Sequence, residues 1–265
     1  MPRRVQNDGR LHVVRRLPDT QVRRPGIVGH RAHHPREIIT VEGLPVVGPA
    51  DTWVDFGELI GRGKPIGVDD VIILGDAIAT MLNDVAPLRA ALDRRNRPRG
   101  KRTHQEALKL IRVGSRSPRE TMCRIMFMRV GLPEPHINQP VYAETNPTVF
   151  LGMPDFSWQR MAADGTLTKV AGEYQGFAFH SDPGKRVQDG ERRTGFESDG
   201  WKVEWIWASD LRTLQHRRLT CMRFARALQL PVERLDLTQC DSRFFSEYRL
   251  AEIGRHQERW SRRSA

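Results

Sequence analysis

Apolar positions in this chain change their period several times, and each change marks a new kind of element. Over the first fifty residues, short alternating runs such as LHVVRRL (11–17), GIVGHRAHH (26–34) and EIITVEGLPVV (37–47) are separated by basic turns. Period-two alternation predicts β-strands. From Asp51 the spacing lengthens. Trp53, Phe56 and Ile60 follow one helical stripe, closed by Gly61, and Val71, Leu74, Ile78 and Met81 follow a second beginning at Asp70. A third helix is expected over roughly 104–113. A fourth follows SPRE (117–120), where Ser117 suits the N-cap, Pro118 the first helical position and Glu120 the far end of a capping box. That helix carries Met122, Ile125, Met126 and Val130, and ends at Gly131-Leu132-Pro133.

The period then returns to two. HINQPVYA (136–143), TVFLGMPDFSW (148–158) and TLTKVAGEYQG (166–176) are three strand candidates, the last two joined by the hairpin signal Asp164-Gly165. A polar helix is expected over about 184–199. WKVEWIWA (201–208) is a fourth strand with Trp201, Val203, Trp205 and Trp207 on one face, which alternation assigns to the core. A last helix covers RLTCMRFARAL (218–228), and Phe244, Phe245 and Tyr248 would dock the tail. The order predicts an α+β protein with a central mixed sheet flanked by helices, preceded by a small β-rich and helical region. The expected division is 1–100, 115–210 and 211–265.

Composition narrows the class. No stretch of the chain is apolar for the roughly 18 residues that a membrane span needs, and no apolar run follows the basic N-terminus as a secretory leader would require. Cys123, Cys221 and Cys240 are too few and too scattered for a disulfide framework or a zinc site, so a reducing cytoplasm is expected, with Cys123 a buried small hydrophobe. Lysine and arginine number 43 against 32 acidic residues, a net charge of +11. Such an excess favours a polyanion such as DNA, although a solvated basic surface explains it too. The run DRRNRPRGKR (93–102) reads as an exposed linker or as an arm whose Arg94, Arg95, Arg97, Arg99, Lys101 and Arg102 touch phosphates. A homodimer is left open.

Candidate chemistry gathers around the hairpin. Glu173 and Gln175 share a strand face, and antiparallel pairing across Asp164-Gly165 brings Asp155 toward Glu173. Magnesium and manganese take hard oxygen ligands, and a cation relieves the repulsion between neighbouring carboxylates. Asp155 and Glu173 are therefore candidate metal ligands, with a turn-capping role the alternative for Asp155. Glu120 is explained by its capping box as readily as by chemistry.

The stretches SPRETMCRIMFMRVGLPEP (117–135), LGMPDFSW (151–158), VAGEYQG (170–176), His180-Ser181-Asp182 and DGERRTGFESDGWKVEWIWASDL (189–211) together resemble the PD-(D/E)XK nuclease fold. More narrowly they resemble the very-short-patch-repair-endonuclease-like family of bacterial proteins. The resemblance covers about a third of the chain. It implies a restriction-endonuclease-like sheet and magnesium-dependent hydrolysis of DNA. Asp155 and Glu173 would hold the ion, Glu120 would be a family acid, and Gln175 and His180 would handle the attacking water. Gln175 stands where the wider fold pattern has lysine, and an amide can orient a water but cannot deprotonate it. His180, with an ordinary pKa of about 6.5, is the base such a site would use. Relatives often double this histidine, where this chain has Phe179-His180. Asp182, Asp189 and Arg192 also match, with helix capping and a salt-bridged helix face as their plainer explanations. Residues 26–60 resemble the region that precedes such domains in abortive-infection-type antitoxin proteins. Those begin with a winged helix-turn-helix, which would be missing here before Leu11.

Overall fold

The computed structural model describes residues 10–16, 20–61, 66–161, 165–175 and 183–240, with residues 16, 183–189 and 191 described by their backbone alone. The chain is α+β and divides into two compact units, one running to Val113 and the other beginning at Gly114. The first unit extends past the expected residue 100, and the second begins one residue before the expected 115.

In the first unit, β1 (Leu11–Arg16) pairs in parallel with β2 (Ile27–Ala32), and β3 (Ile38–Val41) pairs antiparallel with β4 (Leu44–Val47) across a turn with Glu42 and Gly43 at positive φ. Four helices follow: α1 (Pro49–Asp55), α2 (Val68–Leu82), α3 (Ala86–Asp93) and α4 (Lys101–Leu108). The stripe of α2 is only partly as expected: Val71 and Ile78 are buried, but Leu74 is half-buried and Met81 is 61% exposed, while Ile72 and Ala79 are buried instead. The expected exposed linker at 93–102 is instead the end of α3, a tight turn and the start of α4. Sequence periodicity misses α3, which spans only two turns. Among the described residues no single helix is long and apolar enough to cross a membrane.

The second unit opens with α5 (Pro118–Val130). Two of the expected strands are each split in two, with a proline in each gap. Residues 136–143 give β5 (His136–Ile137) and β6 (Val141–Tyr142) around Pro140. Residues 148–158 give β7 (Phe150–Gly152) and β8 (Phe156–Met161) around Pro154. Proline cannot donate to a ladder, so each strand stops and changes partner there. β9 (Leu167–Gln175), the crossover helix α6 (Pro183–Ser198), β10 (Trp201–Trp207) and α7 (Leu214–Ala227) complete the unit. The main sheet has the order β10-β9-β8-β5, antiparallel from β5 through β9 and parallel between β9 and β10. β6 and β7 form a separate pair. The expected hairpin is present as the β8–β9 pair, whose register runs from Phe156↔Gly172 to Met161↔Leu167. Asp164 itself lies outside the described residues, as do Phe244, Phe245 and Tyr248.

The two sheet faces are covered differently. Phe156, Trp158, Val170 and Ile206 pack against Phe127 and Met126 of α5 and against Phe224, Ala225 and Leu228 on and just after α7. α7 is therefore part of this core, and the expected separate segment 211–265 is, as far as Cys240, integral to the second unit. A Cβ on Gly172 would lie 3.0 Å from Phe224 Cε1 and 3.3 Å from Phe156 Cβ, so only glycine lets α7 sit this close to the sheet. Cys123 is buried here as expected. Cys221 and Cys240 are buried beside it with their Sγ atoms 3.8 Å apart, a juxtaposition that sequence spacing does not reveal. On the opposite face a smaller cluster of Val141, Ala171, Phe196 and Trp201 seats α6. Lys169 secures its lower end, donating from Nζ to Glu144 and Asp199 at 3.0 Å each.

Candidate functional site

The candidate acids lie where β8 begins and β9 nears its end. Asp155 sits on the bend just before β8, and extending the β8–β9 register one step beyond Phe156↔Gly172 sets it opposite Glu173. Its Oδ2 accepts from the Tyr174 backbone N–H at 2.7 Å, so the carboxylate caps the ladder where a carbonyl would have continued it. No hydrogen bond to Oδ1 is recorded among the described residues. Burial pushes the Asp155 carboxyl up to about 6, and the nearby negative charge of Glu120 adds to the rise. The Tyr174 N–H and the positive charges of Arg192 and Arg116 only partly offset it.

Glu120 comes from the first turn of α5 and is itself buried. The capping box is half formed. Ser117 Oγ accepts from the Glu120 N–H at 3.2 Å, but the Glu120 carboxylate reaches past Ser117 to the Arg116 N–H at 2.8 Å. The same Oε2 accepts from Asn138 Nδ2 at 2.6 Å. Asn138 ties two acids together, because its own backbone N–H donates to the Asp155 carbonyl at 3.3 Å. It adopts positive φ, which asparagine tolerates. Asn138 and the Arg116 N–H are site components that sequence reading missed. An asparagine before Gln-Pro reads only as a turn.

Glu173 and Gln175 are both buried on the α6 face of β9, while Tyr174 packs into the α5–α7 core as its opposite parity requires. Glu173 Oε1 accepts from Arg192 Nη2 of α6. Arg192, expected on a salt-bridged helix face, reaches the sheet, a long-range pairing for which local spacing carries no signal. Arg193 does pair along the helix, with Glu197 at 2.7 Å. Arg192 also lowers Asp155 electrostatically, so one guanidinium serves both carboxylates.

His180 and Asp182 lie outside the described residues, and the Asp189 side chain is likewise not described. Among the described residues no three His, Cys, Asp or Glu side chains form a group able to hold a metal. The donor set that is present suits a hard, mostly hydrated ion: two carboxylates across one strand pair, with Asp155 strained toward its neutral form by burial and by Glu120. Magnesium commonly takes one or two carboxylates and keeps its other ligands as water.

The basic run 93–102 is divided by the structure. Arg95 is withdrawn from it: its side chain is 4% exposed, with Nη2 donating to Asp51 at 2.7 Å and Nη1 to Asp55 at 3.0 Å. Asp51 is fully buried and so needs this charge. Arg94 is spent in part on the same carboxylate, at 2.8 Å, while remaining exposed along its length. Arg97, Arg99 and Arg102 are exposed and Lys101 half-buried. In the second unit Arg124 and Arg129 are also buried, so part of the positive excess is structural.

Two proteins of Mycobacterium tuberculosis resemble the chain: the uncharacterized protein MT2308 of strain CDC 1551 / Oshkosh and the uncharacterized protein Rv2248 of strain ATCC 25618 / H37Rv. Each is 23% identical over 210 residues, covering 78% of this chain and 70% of the relative. Neither name states an activity. The matched length exceeds either unit, so the similarity runs through both. No family model matches the chain, and no solved structure matches it.

Proposed function

We propose that the second unit is a metal-dependent endonuclease acting on DNA, working in a reducing cytoplasm. The observation that carries this reading is a topology joined to a charge pattern. A helix with an early acid, an antiparallel three-strand meander, a crossover helix and a parallel fourth strand bring Asp155 and Glu173 opposite one another, with Glu120 within electrostatic reach. This supports the resemblance to the very-short-patch-repair-endonuclease-like family. Asp155 and Glu173 would hold magnesium or manganese, which when bound polarises the phosphoryl group and acidifies water. Glu120, fixed by Asn138 and the Arg116 N–H, sustains the negative potential that draws a cation in. Gln175 holds the attacking water through its amide, and His180 takes its proton. Arg97, Arg99, Lys101 and Arg102 add sequence-independent attraction to the phosphate backbone.

The experiment is direct. Purified protein with magnesium or manganese converts supercoiled plasmid to the nicked form, and Asp155→Ala, prepared identically, does not. Equal nicking by the two proteins removes the assignment.

One observation favours a second reading. Arg192 already neutralises Glu173, and Gln175 replaces the lysine of the wider pattern. A DNA-binding or antitoxin-like regulator on a nuclease scaffold would keep this internal cation permanently. It would bind DNA in a salt-sensitive way, indifferent to EDTA and to Glu173→Ala.

A further inference from the structure

Asp155, Glu173 and Glu120 make the candidate site a poor place for a phosphate to arrive. Glu173 is bonded to Arg192, and Asp155 feels the charge of Glu120 as well as that of the arginine. A DNA backbone is itself an anion, so it needs a positive group here that is not already spent on a carboxylate. Arg116 is placed to be that group. It stands one residue before Ser117, the N-cap of α5, and its backbone N–H donates to Glu120 Oε2 at 2.8 Å. That oxygen also accepts from Asn138 Nδ2. The Arg116 side chain reaches the other acid's neighbourhood, with Nη2 lying 2.8 Å from Met153 Sδ on the bend two residues before Asp155. Its backbone is thus tied to one site acid and its guanidinium to the chain segment that delivers another.

A thioether is a weak, uncharged acceptor, so Met153 positions the guanidinium without neutralising it. Arg116 is exposed, and among the described residues no carboxylate lies within ion-pair distance of its guanidinium. Its charge nonetheless acts at the site, where it lowers the Asp155 carboxyl. Arg192 acts there too, but it is committed to Glu173. We propose that Arg116 seats a backbone phosphate of the DNA substrate beside the Asp155–Glu173 pair, its guanidinium forking onto two phosphate oxygens. The inference rests on the nuclease reading above and supplies a substrate-binding residue for that site. Arginine suits the task, because its planar fork matches phosphate geometry. A phosphate contact carries no base preference, so the seat fixes the position of the strand and not its sequence. The basic run 93–102 belongs to the first unit, so Arg116 gives the second unit a phosphate contact of its own.

The test titrates a fluorescein-labelled duplex with the full chain in EDTA, read by anisotropy over a series of potassium chloride concentrations. Each phosphate contact contributes about 0.9 to the slope of log affinity against log salt. Arg116→Gln flattens the wild-type slope by about 0.9, alike for two unrelated duplex sequences, whereas Arg116→Lys keeps it. Both replacements leave an unbranched polar stem at an exposed position, so the comparison between them reports charge rather than folding. Arg193→Gln, on the exposed face of α6 and paired with Glu197, also keeps the wild-type slope. Equal slopes for the Gln and Lys variants overturn the seat. So does an equal flattening by Arg193→Gln, which assigns the effect to bulk charge. Plasmid nicking in magnesium separates this claim from the one beneath it. Nicking by the wild type with no change of slope in Arg116→Gln removes the seat and leaves the nuclease. A flatter slope in Arg116→Gln without nicking by the wild type keeps the phosphate contact and removes the nuclease. A wild type that neither nicks nor binds removes both.

Discussion

Replacing Asp155 by asparagine should make the metal-free protein more stable at neutral pH, although it removes a residue placed at the centre of the site. The carboxyl is held near 6 against an ordinary 3.8, chiefly by burial and then by Glu120. A difference of about two units corresponds to roughly 3 kcal/mol by which ionisation of Asp155 opposes folding. The folded-state value lies above the unfolded one, so the folded state binds the proton more tightly. That penalty is fully present above pH 6, shrinks between 6 and about 4, and is absent below it. Asparagine keeps an oxygen to accept from the Tyr174 N–H and carries no charge. In EDTA at pH 7.5, Asp155→Asn should therefore gain up to about 3 kcal/mol, and this advantage should vanish near pH 4. Asp155→Ala removes the acceptor as well, leaving Tyr174 N–H without it at a cost of about 1–3 kcal/mol, and should fall below Asp155→Asn at every pH. Urea unfolding across pH measures both. Magnesium adds a second arm: at about a hundred times its dissociation constant it should stabilise the wild type by about 2.7 kcal/mol and the asparagine variant much less. If Asp155→Asn is destabilised at neutral pH as much as Asp155→Ala, the carboxylate is not under the burial and Glu120 penalty described, and the electrostatic argument for a cation site fails.

Arg95→Met leaves the buried Asp51 with only Arg94 and the Glu37 N–H, and should cost about 3–5 kcal/mol in denaturant unfolding; Asp51→Asn in the same chain should recover part of the loss. Burial raises the Asp51 carboxyl, but the Arg95 hydrogen bond, the Glu37 N–H and both arginine charges outweigh it and hold it below the ordinary range, so this stability is present at neutral pH and lost as pH falls through that depressed value. Gly172→Ala drives a methyl into Phe224 and Phe156 and should lower stability by about 1–3 kcal/mol, seen as an earlier melt by circular dichroism; an unchanged melt would mean α7 yields freely there. Gln175→Lys restores the amine of the wider nuclease pattern and should raise plasmid nicking by about tenfold or more; no gain would leave proton transfer to another group.

What could be read from sequence was what repeats locally. The Ser117 N-cap and the β8–β9 hairpin each rest on spacings of two to four residues, and each stands where expected. What was missed depends on partners distant in the chain. Pro140 and Pro154 were visible as residues, but whether a proline ends a strand or merely edges it depends on which strand lies alongside. Arg95 looked like the most exposed kind of residue, in a run of like charges. Its burial is decided by Asp51, 44 residues away. The acids themselves were legible as types and in approximate register, whereas Asn138, which joins Glu120 to the Asp155 backbone, was not. Strand alternation correctly put Trp207 on one face, but alternation says nothing about how far a helix reaches across that face. Phe196 packs on Trp201, whereas Trp207 at the far end of the row is 42% exposed.

Arg192 brings these strands of reasoning together. A +1 guanidinium bonded to Glu173 and felt by Asp155 performs in the resting protein the charge balance that a divalent ion would perform in a working nuclease. Its side chain is 34% exposed and sits on a helix surface, so releasing it to water costs little. The exchange of Arg192 for a metal ion is therefore governed by what replaces it at Glu173. A doubly charged ion shared with Asp155 relieves both carboxylates, including the penalty on Asp155 that one guanidinium leaves standing. In an enzyme Arg192 is a placeholder that metal displaces, whereas in a regulator it would remain the permanent partner of Glu173.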